Sequence, residues 1–174
     1  MSFPRLITTL ACLLFFSTNA LAADVQVNYE YTQKPQVDFS KTSKGSLKIA
    51  PFTDERGDAD ANQIGDATLE SSAAEIVNDA LVQSFIAGGA ALVNEGESFT
   101  LEGAITEMSI TEKGADLQVT IRTHVTLRAG NRTAFDSVIF GRAAAPELGE
   151  AIRGALDKLV NSLILDDYFL MEVI

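Results

Sequence analysis

Apolar and polar residues alternate most cleanly over residues 116–129. Leu117, Val119, Ile121, Thr123, Val125 and Leu127 share one parity; Gln118, Thr120, Arg122, His124, Thr126 and Arg128 share the other. A period of two is the mark of a strand with one buried and one wetted face. Gly114-Ala115 and Ala129-Gly130-Asn131 bracket this stretch with hairpin-turn chemistry. Phe99, Leu101, Gly103 and Ile105 carry the same parity through residues 98–111, and residues 132–141 supply a third strand. The three together predict an antiparallel meander.

Two other stretches change period. Over residues 67–87, Ala73, Ala74, Ile76, Val77, Ala80, Leu81, Ser84 and Phe85 recur at helical spacing, and Gly88-Gly89 supplies the stop. From about Pro146, Leu148, Ile152, Ala155, Leu156, Leu159, Leu163 and Ile164 form a stripe wide enough to cover a sheet. Glu150, Arg153, Asp157, Lys158 and Asn161 make its wet side.

Upstream, Val25, Val27, Tyr29 and Tyr31 alternate, which predicts a strand over residues 24–31. Residues 32–46, with Pro35 and Gly45, read as a polar linker or extended arm. Residues 47–52 read as a short strand, 53–66 as an acidic loop, and 90–93 as a brief strand. Two amphipathic helices and a sheet with one apolar face can bury one another. The expected form is a two-layer α+β sandwich: a mainly antiparallel sheet of about 4–6 strands with two helices on one face. The expected organisation is a signal peptide over residues 1–22, an N-terminal arm over 23–44 and a single domain over 45–174.

The signal peptide is read from Arg5, the apolar run from Leu6 to Phe16, and Ala20-Leu21-Ala22 as a cleavage site. The apolar run is well short of the roughly 20 residues that span a bilayer. The expected location is the periplasm. The single cysteine, Cys12, lies inside the signal, and position 23 is Ala, so no lipid anchor is expected. Without a cysteine in the mature chain, disulfides, thiolate metal sites and a cysteine nucleophile are excluded. The net charge of −11 argues against nucleic acid as a partner, because phosphate binding needs a basic surface.

Asp58, Asp60 and Asn62 resemble the opening of a calcium loop, with oxygens at alternate positions. Gln63 stands where the loop needs glycine, and Leu69 where it needs the closing carboxylate. A solvated acidic loop accounts for the run better. His124, the only histidine, lies mid-strand on the polar parity, with no nucleophile elbow in the chain. Arg122, His124 and Arg128 form a basic stripe. A cross-strand pairing with Glu102 is the preferred reading, and contact with an anionic partner is the alternative. The apolar C-terminus, Tyr168-Phe169-Leu170-Met171-Glu172-Val173-Ile174, follows Asp166-Asp167. It is read first as an edge strand or flap packed on its own domain. The functional alternative is a docking segment that uses Tyr168, Phe169, Leu170 and Met171 to pair with another chain. No catalytic set, no metal and no cofactor is expected.

The run Leu47-Lys48-Ile49-Ala50-Pro51-Phe52-Thr53-Asp54-Glu55-Arg56, followed by Ile64-Gly65, resembles the first strand and D-x-R turn of the YajG-like family of bacterial envelope lipoproteins. The resemblance extends over roughly residues 45–174. It departs at Ala23, where those proteins carry a lipid-bearing cysteine. The architecture is also similar to small envelope assembly factors such as the lipopolysaccharide-assembly and curli secretion lipoproteins. The resemblance brings no catalytic residues and implies that Asp54 and Arg56 tie the loop to the sheet. The expected function is a non-enzymatic periplasmic protein that binds an envelope protein or lipidic component, with a second copy of the chain also admitted as partner. The alternatives are a carrier of a small apolar or lipidic ligand, and a hydrolase using acidic residues.

Overall fold

The structure is a computed structural model and describes residues 24–57 and 60–174. The signal segment, Ala23 and Asp58 of the acidic run lie outside the described residues. In chain order the elements are β1 (Asp24–Val25), α1 (Phe39–Thr42), β2 (Leu47–Ile49), β3 (Thr53–Asp54), β4 (Gln63–Ile64) and β5 (Ala67–Leu69). They continue with α2 (Ala73–Ala87), β6 (Phe99–Lys113), β7 (Asp116–Ala129), β8 (Arg132–Ala145), α3 (Leu148–Ile164) and α4 (Asp167–Val173).

The meander forms as its alternation dictates. β6, β7 and β8 pair antiparallel, and β2 and β3 add in parallel to the far side of β6, making five strands in all. The hairpin tips place Gly114 and Gly130 at positive φ, which a glycine adopts without strain. Helices α2 and α3 cover one face of this sheet, so the architecture is a two-layer α+β sandwich. Val119, Ile121, Val125 and Leu127 meet Ile152, Leu156, Leu159 and Leu163 in that layer, all without solvent exposure. Helix α3 lies unusually close to β8, because the facing strand position is Gly141: a Cβ there would land on the carbonyl oxygen of Ala155.

The structure differs from the sequence expectation in several places: residues 90–93 make only one bridge, Leu92 to Leu47, the acidic loop holds β3 and β4, and four further stretches change form. Helix α2 begins at Ala73, six residues after the expected start, because Ala67–Leu69 pair with β4 instead. Ser72 then caps the helix: its hydroxyl accepts from the Glu75 N–H, and the Glu75 carboxylate accepts from the Ser72 N–H. The expected strand over 24–31 keeps only Asp24–Val25 in a ladder, paired with β5 in a separate three-stranded sheet. Beyond it the arm stays extended with its alternation intact, and Val27, Tyr29 and Tyr31 pack half-buried on the core. Tyr29 donates to Asp157 of α3 at 2.9 Å, and Gln83 of α2 bonds the backbone at Tyr29 and Tyr31. The supposed linker holds α1, which buries Phe39 against Phe85 with ring centroids 5.3 Å apart. The C-terminal segment is a helix, α4, and not a strand: Asp166 caps it by accepting from the N–H groups of Tyr168 and Phe169.

Candidate functional site

The sheet face opposite the helices carries the basic stripe. On β7, Arg122, His124 and Arg128 project to this side, as their parity requires. Each meets an acid from a neighbouring strand. Arg128 donates to Glu102 on β6 at 2.8 Å, and Arg122 to Glu107 on β6 at 2.8 Å. His124 Nε2 lies 2.9 Å from Asp136 on β8, whose other oxygen accepts from Thr126 at 3.0 Å. These bonds to His124 and Thr126 hold the Asp136 carboxyl below the usual carboxylate range. Each basic side chain of the stripe is thus matched by an acid across the sheet, the cross-strand pairing expected of Arg128 with Glu102 among them.

A shallow depression of about 350 Å³ opens on the same face, between Ala50, Pro51, Thr53, Glu102, Ala104, His124 and Thr126. It brings one histidine near two hydroxyls, but the order needed for nucleophilic catalysis is missing. A base must touch both its nucleophile and its orienting carboxylate. Here Thr126 bonds the carboxylate of Asp136, and the histidine bonds that same carboxylate.

The turn after β3 is organised by Arg56. Its guanidinium forks onto the Asp54 carboxylate at 2.7 and 2.9 Å and donates to the carbonyl oxygens of Gln63, Asp60 and Ala61. The pair is largely buried, and the Arg56 hydrogen bond holds the Asp54 carboxyl below its ordinary range. The backbone carbonyls of Asp60 and Asn62 accept from Arg56 and from the Leu69 N–H respectively. Through these bonds Arg56 links β3 to the backbone of residues 60–63.

The C-terminal candidates divide by helical face. Phe169 is fully buried, packed edge-on to Phe135 at 5.6 Å and tilted against Phe85 at 6.0 Å. Leu170 is half-buried against the same cluster. Tyr168 and Met171 point outward, 71% and 61% exposed, with Leu165 and Ile174 also exposed at this end of the chain. The helix is fixed from its own side, since Lys44 donates its N–H to the Val173 carbonyl and Arg132 bridges to Glu172 at 2.7 Å.

Three residues of interest carried a sequence signal that the parity of 132–141 makes readable. With Phe135 and Ile139 turned inward, Val138 and Phe140 face solvent, 53% and 52% exposed, and Arg142 follows on the same side. Arg122 stacks over the Phe140 ring at 5.8 Å. Arg142 bonds only the Thr120 hydroxyl and has no carboxylate partner among the described residues. No helix among the described residues is long and apolar enough to cross a membrane.

No family model and no curated protein sequence matches the chain. Solved structures do match in fold. The crystal structure of a Xanthomonas campestris protein of the DUF330 family superposes with a TM-score of 0.66 at 14% identity, over 82% of this chain and 93% of that one. A hypothetical protein from Chlamydia trachomatis gives a TM-score of 0.53 at 8% identity, over 70% of this chain and 96% of that one. At such identities the likeness is one of architecture: sheet, helices and their order.

Proposed function

We propose that the protein is a non-enzymatic component of the bacterial envelope, exported to the periplasm on residues 1–22, that binds another envelope protein through the outer face of α4. The observation that carries this reading is the split of the C-terminal helix. Phe169 and Val173 lock it to the core, while Tyr168 and Met171 are held out in water. Exposed apolar area costs roughly 25 cal/mol per Å². A helix whose backbone is already fixed, presenting an aromatic and a methionine, is a ready docking face, because no backbone freedom is lost when it is covered and the flexible methionine can adapt to the partner's surface. Asp166 and Asp167 border it, so the fitting partner has an apolar groove with a basic rim.

The signal pattern and the YajG-like resemblance over residues 45–174 support the envelope assignment. The fold likeness to the DUF330 protein adds architecture alone. Neither alternative is favoured by an observation. Leu101, Ile121 and Leu156 are fully buried between sheet and helices, which supports a packed interior over a carried ligand. The acids nearest the depression are Glu102, held by Arg128, and Asp136, held by His124.

The test compares capture by the wild-type chain with capture by the Tyr168→Ser/Met171→Ser double variant, using chemical cross-linking in the periplasm followed by binding of the purified partner. A partner lost from the variant, with affinity reduced at least about tenfold, supports the reading. Equal capture by a variant with an unchanged melting curve overturns it.

A further inference from the structure

Strand β8 closes one side of the five-stranded sheet, and among the described residues no further strand pairs with it; α4 packs only at its start, on Arg132 and Phe135. Among the described residues, no backbone hydrogen bond outside the β7 ladder engages the N–H or C=O groups of Arg132–Ala145. An open edge is usually blunted by shortness, proline, lysine or a covering element. β8 is 14 residues long and contains neither proline nor lysine; its one bulge, at Ala134, lies near its start, so residues 135–145 run as a regular ladder. The opposite edge does follow the rule: β2 and β3 have three and two residues, with Pro51 between them.

The side chains along this edge are complementary to themselves. On the outer face they run Asp136, Val138, Phe140, Arg142, with Ile139 at the centre. An antiparallel strand related by a two-fold axis at Ile139 sets Asp136 opposite Arg142 of the second copy and Val138 opposite Phe140, each pair occurring twice. Moving the axis by one residue sets Asp136 against Phe140 or against Ala144, so of these three registers the one centred on Ile139 satisfies charge and apolar surface together. Arg142, which bonds the Thr120 hydroxyl but no carboxylate, and the exposed Val138 and Phe140 are the features that such a partner would use; Asp136, which already accepts from Thr126 and lies against His124, would take Arg142 of the second copy as a further donor.

We infer that β8 is a self-association edge, pairing antiparallel with β8 of a second copy about Ile139 and extending the sheet across the dimer. This does not rest on the docking role of α4. An isologous contact of this kind closes after two subunits, which protects the edge from further growth.

The experiment is sedimentation velocity of the purified chain across a concentration series, with Asp136→Arg and Arg142→Asp made separately. Each variant places like charges in both cross-strand pairs and is expected to raise the dimer dissociation constant about tenfold or more. Mixing the two variants restores both pairs in a heterodimer, so the mixture is expected to dimerise at wild-type concentrations. The mixture also guards against misfolding, since unfolded chains would not rescue each other. As a second readout, amide exchange in residues 136–142 of the wild type slows as concentration rises. A wild-type chain that is monomeric throughout overturns the inference, and is the outcome expected if a strand of another protein is what β8 accepts. So does a dimer indifferent to both substitutions, or a mixture no more dimeric than its parts.

Discussion

Gly141→Ala tests the contact that sets the whole helical layer. At this position β8 and α3 approach so closely that an added Cβ would fall on the Ala155 carbonyl oxygen and 2.5 Å from the Leu159 nitrogen. Both obstacles are backbone, so no rotamer change relieves the clash. The helix must lift from the sheet by roughly 1 to 1.5 Å to reach van der Waals distance. Ala151, Ile152, Ala155, Leu156 and Leu159 are all fully buried on that helix, and they lift with it. A gap of about 0.5–1 Å already forfeits a quarter to a half of a dispersion well. Overpacking commonly costs about 1–3 kcal/mol, and a contact this broad falls at the upper end, about 3 kcal/mol or more.

For a chain of this size that loss lowers the melting temperature by about 6–12 °C. Urea unfolding followed by circular dichroism measures it directly. The matched control is Gly114→Ala at the β6–β7 tip, where φ is +68° and nothing lies within 4 Å of the added carbon. That change carries only the backbone penalty of a left-handed conformer, about 1–2 kcal/mol. Equal losses at the two glycines, or a Gly141→Ala midpoint within error of wild type, would refute the close-approach argument.

Thr123 faces the helices from the centre of β7, fully buried, and its hydroxyl has no hydrogen-bond partner. Thr123→Val keeps the shape and removes an unsatisfied group, so the urea midpoint should rise by the equivalent of about 1 kcal/mol at unchanged slope. Arg56→Ala strands a buried carboxylate and three carbonyls, with an expected loss of about 3 kcal/mol or more. Arg56→Lys keeps the charge but not the fork, so calorimetry should place it between alanine and wild type. Because the folded state holds the Asp54 carboxyl below its ordinary range, its contribution is complete above the unfolded value near pH 4 and is lost as pH falls through the folded one. Asp54→Asn should therefore flatten part of the decline in stability between about pH 5 and pH 2, and an identical acid limb in the two proteins would contradict this.

The meander and α3 are legible because their periods are long, uninterrupted and punctuated by glycine or proline. The start of α2 is harder: Ala67 and Leu69 fit a helical spacing as well as they fit β5. The discriminating signal was present, since Ser72-Ala73-Ala74-Glu75 is a capping box. Element α1 has one buried residue, Phe39, and the ladders at β1, β3 and β4 have two residues each. Segments that short take their form from what they pack against, and no local pattern encodes it. In the C-terminal segment every residue but Glu172 is apolar, so apolarity alone could not separate the locked face from the wet one; Asp166, as a cap, was the cue to a helix. The pairing of Arg128 with Glu102 followed from parity, whereas the lack of a carboxylate for Arg142 needed the three-dimensional neighbours.

The two proposed surfaces meet on one strand. Helix α4 is anchored to the start of β8 through Phe135–Phe169 and Arg132–Glu172, while the self-complementary register is centred farther along, at Ile139. A two-fold pair through Ile139 leaves both α4 helices outside the pairing centre and carries two Tyr168–Met171 faces. Two linked sites raise apparent affinity by about 10²–10⁴ when a partner can span them. The two readings then make separable claims on one measurement. If a spanning partner is engaged by the dimer, Asp136→Arg weakens capture although Tyr168 and Met171 are intact, and adding Arg142→Asp chains recovers it. If each α4 acts alone, Asp136→Arg leaves capture unchanged while Tyr168→Ser/Met171→Ser abolishes it.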